Sequence, residues 1–136
     1  MIKETITYID YNGIERKEEH YFHMNETEIM DMQLSTTGGL DVYIKKIVDA
    51  QDLPALVKIF KELVLKAYGE KSPDGRSFIK EDEDGRPLCN KFKQTEAYST
   101  FFMKLARDSE AAIKFVNGIM PSNMTQQNKS DHPANK

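Results

Sequence analysis

The side chains in this sequence best suited to chemistry are His20, His23, His132 and Cys89. His20 and His23 have the short spacing of a metal-ligand pair. On a β-strand, however, residues an odd number apart point to opposite faces, and this segment has the pattern of a strand. A nucleophilic cysteine needs a histidine held beside it, and the sequence places none there. We therefore predict neither a metal site nor a catalytic cysteine, and we expect Cys89 to be buried or incidental.

A second candidate is the stretch 69–77, which faintly resembles a phosphate-binding loop. Such a loop follows a strand, has four residues between its glycines and carries Lys before the Ser or Thr. Here five residues separate Gly69 from Gly75, Arg76 occupies the lysine position, and the preceding segment has a helical pattern. The carboxylates of residues 81–84 lie in a hydrophilic run with nothing to tune them for acid–base work. We expect no enzyme and no cofactor.

Composition predicts one small soluble domain. The chain has 136 residues, of which 39% are apolar and 30% charged, which suits a single core with a solvated surface. No apolar run approaches the ~20 residues that span a bilayer, and the first residues lack the apolar core of a signal peptide. We therefore expect a cytoplasmic protein, and the single cysteine, which cannot form an internal disulfide, agrees with a reducing compartment.

Charge is distributed unevenly along the chain. Residues 1–34 hold eight acids and three bases, and residues 35–136 hold fourteen acids and sixteen bases. Neither part has the dense basic patch of a nucleic-acid-binding surface, so we expect neither a nucleic acid nor a membrane as partner. The acidic start is either a solvated strand pair or a surface that attracts a basic protein.

The patterns predict an α+β fold that is mainly helical, with an N-terminal β-hairpin packed on a bundle of about five helices. In the hairpin, residues 3–23, Ile6 alternates with Thr5 and Thr7. Asn12-Gly13 predicts a type I′ turn, in which both residues adopt a positive φ. The charged middle of the return strand, 15–19, should face water.

The remaining chain, 25–121, is predicted as a mainly helical part that completes a single globular domain over 2–121. Its polar middle, 69–93, is predicted to be irregular, with Phe78-Ile79 as either a short strand or a loop anchor. The predicted N-caps of the helices are Asn25, Asp52, Thr95 and Ser109, with Glu28 completing a capping box and Gly69 as a C-cap. A further helix is expected over about 40–50. The clearest helix has an apolar stripe at three-four spacing. The stripe consists of Leu53, Leu56, Val57, Phe60, Leu63, Val64, Ala67 and Tyr68. The polar tail 122–136 is predicted to be disordered.

Two apolar residues do not fit that stripe. Ile59 lies on its flank and Leu65 nearly opposite its centre, so they are either scattered surface residues or part of a contact surface for a partner. Flexible methionines suit both core filling and an adaptable binding surface. We therefore choose Ile59, Leu65, Met30 and Met32 as the candidate partner-binding residues.

Several short segments together resemble one protein family. They are Asp10-Tyr11-Asn12-Gly13, the stretch from Lys66 to Arg76 (Lys-Ala-Tyr-Gly-Glu-Lys-Ser-Pro-Asp-Gly-Arg), Gln94-Thr95-Glu96-Ala97-Tyr98, and Lys114-Phe115-Val116-Asn117-Gly118-Ile119. The chain is similar over most of 1–121 to the tail assembly chaperones of long-tailed, siphovirus-type bacteriophages and prophages of Gram-positive bacteria. Each segment is structural and none is catalytic, so the combination carries the resemblance.

The resemblance implies a non-enzymatic late protein of viral morphogenesis. Such chaperones bind and solubilise the tape measure protein and help recruit tail tube subunits, in many phages through a longer, frameshifted form. They act in the cytoplasm of the infected host and are absent from the mature virion, and the resemblance also allows a homo-oligomer. An alternative is a structural virion component, such as a head–tail connector subunit.

Overall fold

A computed structural model describes residues 1–34, 45–47 and 49–120, and within them the chain forms the predicted α+β fold. The named elements are β1 (Ile2–Ile9), β2 (Glu15–Phe22), α1 (Glu26–Leu34), α2 (Leu53–Ala67), β3 (Tyr68–Lys71), β4 (Phe78–Ile79), α3 (Cys89–Phe92), α4 (Glu96–Arg107) and α5 (Ser109–Ile119). Residues 45–47 and 49 are helical and Ala50 lies in a turn, and residues 40–44 and 48 of the helix predicted over 40–50 lie outside the described residues, as does the tail 122–136. No described helix is long and apolar enough to cross a bilayer.

The hairpin is half of a four-stranded antiparallel sheet with the order β1-β2-β3-β4. Ile6 is the partner of Glu18 in the first pair of strands, and Phe22 is the partner of Tyr68 in the second. Strand β3 begins at Tyr68, predicted as the end of the preceding helix, and β4 is the segment predicted as either a short strand or a loop anchor. Both strands have too few residues to show a period-two pattern, which is why the sequence missed β3 and left β4 undecided.

The turn of the hairpin differs from the predicted type I′. Only Gly13 has a positive φ there (+79°), and Asn12 does not. The Asp10 N–H donates to the Ile14 carbonyl at 2.9 Å, and the Gly13 N–H donates to the Asp10 carbonyl at 3.0 Å. The Asp10 carboxylate also accepts the N–H groups of Asn12 and Ile14 at 2.9 Å. This carboxylate favours a longer loop with a single glycine in the left-handed region.

The alternation predicted for β1 is confirmed, because Ile6 is buried while Thr5 and Thr7 are exposed. In the charged middle of β2, residues 15–17 and 19 are exposed as predicted, and Glu18 keeps 41% of its side chain exposed. Glu18 lies opposite Ile6 on the helix side of the sheet, where its carboxylate accepts a hydrogen bond from the Tyr8 hydroxyl at 2.8 Å.

Three of the predicted helix caps are confirmed and two are wrong. Asn25 and Glu28 exchange the two hydrogen bonds of a capping box, Asp52 accepts from Ala55 N–H, and Thr95 accepts from Tyr98 N–H. The last helix is capped by Asp108 instead of Ser109. The Asp108 carboxylate reaches two free N–H groups of the first turn. The Ser109 hydroxyl, one residue further along the chain, does not.

Gly69 is not a C-cap. Helix α2 ends at Ala67, the Tyr68 N–H donates to the Val64 carbonyl, and the chain passes directly into β3. Gly69 is buried in that strand, where an added Cβ would lie 2.5 Å from Phe78 Cε2 and 2.8 Å from the Ile79 carbonyl oxygen. The glycine is therefore required by the close approach of β4 and not by a left-handed backbone.

The core is centred on Phe22, which is fully buried. Its ring stacks on Phe101 with a centroid distance of 5.0 Å and meets Phe115 edge-on at 5.5 Å, so the sheet, α4 and α5 share one aromatic cluster. Aromatic pairs in these geometries contribute about 0.5–1.5 kcal/mol each beyond the burial of their area.

The stripe predicted for α2 is only partly correct. Its buried residues are Ile59, Phe60, Leu63, Val64 and Ala67. Ile59, predicted to lie off the stripe, is 5% exposed, whereas Leu53, predicted to lie on it, is 67% exposed. Because α2 contacts both β2 and α4, it buries a wider arc in its second half than a single stripe. In its first turns Leu53 and Val57 are exposed, and Ala55 and Leu56 are only partly buried against the core.

Candidate functional site

An apolar groove lies between the first half of α2, the end of α4 and one face of α5. Its volume is about 440 Å³. The lining residues are Leu53, Leu56, Val57, Phe60, Phe102, Leu105, Ala106, Arg107, Ser109, Ala112, Ile113, Val116 and Asn117. We call this feature the α2–α5 groove.

Caps at two helix starts position the walls of the α2–α5 groove. Asp52 accepts the Ala55 N–H at 3.2 Å and begins α2, with Pro54 in the first turn. Asp108 separates α4 from α5 by a single residue and accepts the N–H groups of Glu110 and Ala111 at 3.0 and 3.2 Å. A connection this short makes the two helices neighbours, so their facing side chains define two sides of the groove.

The floor of the groove is buried and its rim is exposed. Phe60, Phe102 and Leu105 are at most 9% exposed, whereas Leu53 is 67% and Ile113 is 61% exposed on the rim. Single exposed apolar side chains are normal on a soluble protein. A rim of them around an apolar concavity is typical of a surface that binds another apolar group.

Two cations lie at the groove. Arg107 is among the lining residues, and Lys61 Nζ lies 5.9 Å from the centroid of the Phe102 ring. Neither of them forms an ion pair with any residue in the described ranges. The groove can therefore combine an apolar contact with an ion pair to a partner's carboxylate, whose strength depends on how much water the partner excludes.

The structure places the four sequence-predicted partner-binding residues elsewhere. Ile59 and Met32 are buried in the core, at 5% and 7% exposure, and Leu65 is half-buried against it. Met30 is 59% exposed on α1. None of the four lines the α2–α5 groove. Their contact with a partner stays a prediction, for which Met30 offers the most accessible side chain.

Sequence reasoning assigned Leu53 and Val57 to the core and did not consider Ile113 or Arg107. A signal for the groove exists in α5, where Ile113 lies off the buried stripe of Ala112, Phe115 and Ile119. The same reasoning that selected Ile59 and Leu65 on α2 would have selected Ile113. On α2 this reasoning selected the wrong residues, because the apolar stripe includes Leu53 and Val57, which the rest of the fold leaves exposed.

His20, His23 and Cys89, which were among the first candidates for chemistry, do not line the α2–α5 groove. His20 lies between aromatic rings, 5.2 Å from the Phe92 centroid, and burial lowers its pKa, while Glu18 acts in the opposite direction. Its Nε2 is 3.4 Å from Glu18 Oε1 without the geometry of a hydrogen bond. Burial also lowers the pKa of His23, and Cys89 is half-buried. The described residues contain no group of three or more His, Cys, Asp and Glu side chains that could hold a metal ion.

The family model described as phage tail assembly chaperone matches the chain over residues 1–136. No curated protein and no solved structure gives a significant match.

Proposed function

We propose that this chain, which belongs to the family of phage tail assembly chaperones, binds the tape measure protein and keeps it soluble during tail morphogenesis. Family membership points to a non-enzymatic role. In this proposal the protein acts in the cytoplasm of a Gram-positive host infected by a siphovirus-type phage. It helps recruit tail tube subunits, through a longer frameshifted form, and is absent from the mature virion.

The observation that carries the proposal is the α2–α5 groove. A chaperone for a helical client needs an apolar surface that remains accessible after its own core has formed. The floor residues Phe60 and Phe102 are already buried, and the rim residues Leu53 and Ile113 are available to a client. The apolar face of an amphipathic helix, with anchors at three-four spacing, fits a groove between helices.

The charge at the groove supports a client with acids beside its apolar face. Arg107 and Lys61 would then meet carboxylates on the flank of the bound helix. Rim charges mainly affect the association rate and the salt dependence of binding, and buried apolar anchors mainly affect dissociation. We therefore assign the affinity to the apolar rim and the orientation of the client to the two cations.

The experiment is co-expression of the chain with the tape measure protein of the same phage, scored by the amount of soluble tape measure protein that co-purifies. We expect Ile113→Asp to reduce recovery roughly ten-fold or more, because a carboxylate in an apolar anchor position loses its water without a partner. The matched control is Ile113→Met, which keeps an apolar side chain of good helix propensity and should bind normally. Circular dichroism establishes that both variants are folded.

A further variant, Met30→Asp, separates the groove from the sequence-predicted surface. Met30 is 59% exposed and Ile113 is 61% exposed, so the two substitutions are matched in accessibility. Loss of binding with Ile113→Asp alone supports the groove. Loss with Met30→Asp alone refutes it and favours α1 as the contact surface. No co-purification with the unaltered chain refutes tape measure binding itself.

The proposal also predicts that the chain is missing from purified phage particles. Mass spectrometry of mature virions tests this directly. Recovery of the chain in a fixed proportion to the tail proteins would contradict a transient assembly role and favour a structural component, such as a head–tail connector subunit.

A further inference from the structure

Strand β1 forms one edge of the sheet along its whole length. It has eight residues, Ile2–Ile9, and within the described chain it pairs only with β2. Helix α4 contacts the strand, and the β1 residues on that side are buried or half-buried. The side chains on the other side, those of Lys3, Thr5, Thr7 and Ile9, are exposed.

The hydrogen bonds of the hairpin fix which backbone groups of β1 point outward. Asp10 N–H bonds the carbonyl of Ile14, its partner in the extended register, so hydrogen-bonded pairs recur at every second residue of β1. Ile6 and Glu18 form one of these pairs. The N–H and C=O groups of the odd-numbered residues 3 to 9 therefore point away from β2. Strand β2 alternates in the same way, with the backbone groups of its odd-numbered residues pointing away from β1. The His23 N–H, which donates to the Ala67 carbonyl just before β3, agrees with this.

This edge lacks most of the features that prevent edge pairing in soluble proteins. It has no proline, and its register with β2 runs without a bulge from Ile2 to Ile9. Its one lysine, Lys3, lies 3.5 Å from Glu19 on the neighbouring strand, so it is engaged away from the open edge. The opposite edge of the sheet, β4, has only two residues, Phe78–Ile79, which is too short a template.

We propose that a second copy of this chain pairs antiparallel with β1, so that the two four-stranded sheets form one continuous sheet across a twofold axis. Only outward-pointing residues can form hydrogen-bonded pairs across the axis, so the partners must both be odd-numbered. The register that uses all of them places the axis beside Ile6. Thr5 then pairs with Thr7 of the other copy, and Lys3 with Ile9.

The register is self-complementary in its side chains. Thr5 opposite Thr7 is a favourable cross-strand pair, repeated on both sides of the axis. Lys3 faces Ile9 instead of a second lysine, and Glu4 faces Tyr8 instead of a second carboxylate, so no like charges oppose one another. An unrelated client strand would have to provide these matches by its own sequence, whereas a second copy provides them by symmetry.

Sedimentation velocity over a range of protein concentrations tests the pairing. A contact limited to two strand edges is small, so we expect a dimer with a Kd on the order of 10–100 µM. Thr5→Pro removes one outward N–H and keeps the bonds to β2, because proline is tolerated on an edge strand when its nitrogen faces solvent. We expect this variant to weaken association at least ten-fold. Thr5→Val keeps the N–H and should dimerise like the unaltered chain.

Retention of the dimer by a folded Thr5→Pro variant would overturn the proposal. So would an unaltered chain that stays monomeric well above 100 µM. Thr7→Pro removes the other central N–H by the same logic and provides the test if Thr5→Pro unfolds the hairpin, as judged by circular dichroism.

Disulfide trapping tests the register independently. In a Cys89→Ala background, chains with Thr5→Cys and chains with Thr7→Cys are oxidised separately and as a mixture. Hydrogen-bonded partners have Cα atoms about 5.5 Å apart, within the range of a disulfide. We expect a cross-link in the mixture only. A cross-link of Thr5→Cys with itself would place the axis elsewhere and refute the register.

The β1 edge and the α2–α5 groove share no residue. Measuring whether Thr5→Pro binds the tape measure protein therefore separates the two proposals. A monomeric variant that still binds shows that the groove works without the sheet contact, and a dimer that fails to bind refutes only the groove.

Discussion

Lys80 joins three elements, and its removal gives the sharpest stability prediction. Its Nζ donates to Glu28 Oε2 at 2.7 Å and to the Lys66 carbonyl at 2.6 Å. Glu28 is the capping-box residue of α1, and Lys66 lies in the last turn of α2. One ammonium group at the end of β4 therefore holds the start of one helix and the end of another. Lys80→Met keeps the length of the side chain and removes only the charge and the hydrogen bonds.

The magnitude follows from the burial of the pair. The side chains of Lys80 and Glu28 are 21% and 32% exposed, so the interaction is stronger than that of a surface ion pair and weaker than that of a fully buried one. A hydrogen bond to a charged group contributes about 1.5–3 kcal/mol, and one to a solvent-accessible carbonyl contributes less. Burial lowers the pKa of Lys80 and Glu28 opposes this shift, so part of the gain offsets desolvation. We expect Lys80→Met to lower the free energy of unfolding by about 2–3 kcal/mol.

Urea unfolding followed by circular dichroism measures this loss. A double-mutant cycle with Glu28→Gln isolates the pair, because glutamine keeps the capping-box acceptor for the Asn25 N–H while removing the charge. We expect a coupling energy of about 1–2 kcal/mol between the two positions. Additive effects of the two substitutions would refute the role of Lys80 in joining α1 to α2. So would a decrease in the free energy of unfolding below about 0.5 kcal/mol for Lys80→Met alone.

Two further predictions test the packing and the titration of the fold. Gly69→Ala should lower the free energy of unfolding by about 1–3 kcal/mol, because the new Cβ would meet Phe78 and the Ile79 carbonyl, and an unchanged urea midpoint would contradict this close approach. Burial lowers the pKa of both His20 and His23, so the unfolded chain binds more protons below the ordinary value of 6.5. Stability should be full above that pH and fall as the pH is lowered from about 7 to 5, and a double His→Gln variant should flatten this profile. An equally steep profile in the variant would contradict the role of the histidines.

The sequence predicted the features that depend on local chemistry. The capping box of Asn25 and Glu28 and the cap at Asp52 are confirmed, because a side chain that satisfies a free N–H three residues away requires nothing from the rest of the fold. The hairpin is also confirmed, although its turn type is not. There the Asp10 carboxylate binds two backbone N–H groups and stabilises a loop that the Asn12-Gly13 dipeptide alone does not indicate.

The features that the sequence missed depend on contacts between distant segments. Gly69 has the position of a C-cap in the helical pattern, yet its role is set by Phe78 across the β3–β4 pair. Ile59 has the position of a surface residue on a single stripe, yet it is buried because α2 contacts more than one neighbour. No local pattern contains that information.

The α2–α5 groove shows why the candidate site was harder to predict than the fold. A periodic apolar stripe indicates that one face of a helix will be covered, and it does not indicate what covers it. Along α2 the same stripe is covered by the chain's own core at Leu63 and Val64 and lies exposed at Leu53. A chaperone needs both parts. If the core covered the whole stripe, no apolar surface would remain for a client, and if the whole stripe were exposed, the helix would not be held in the fold. The sequence encodes both parts with the same residue types, and only the positions of α4 and α5 separate the core from the proposed binding surface.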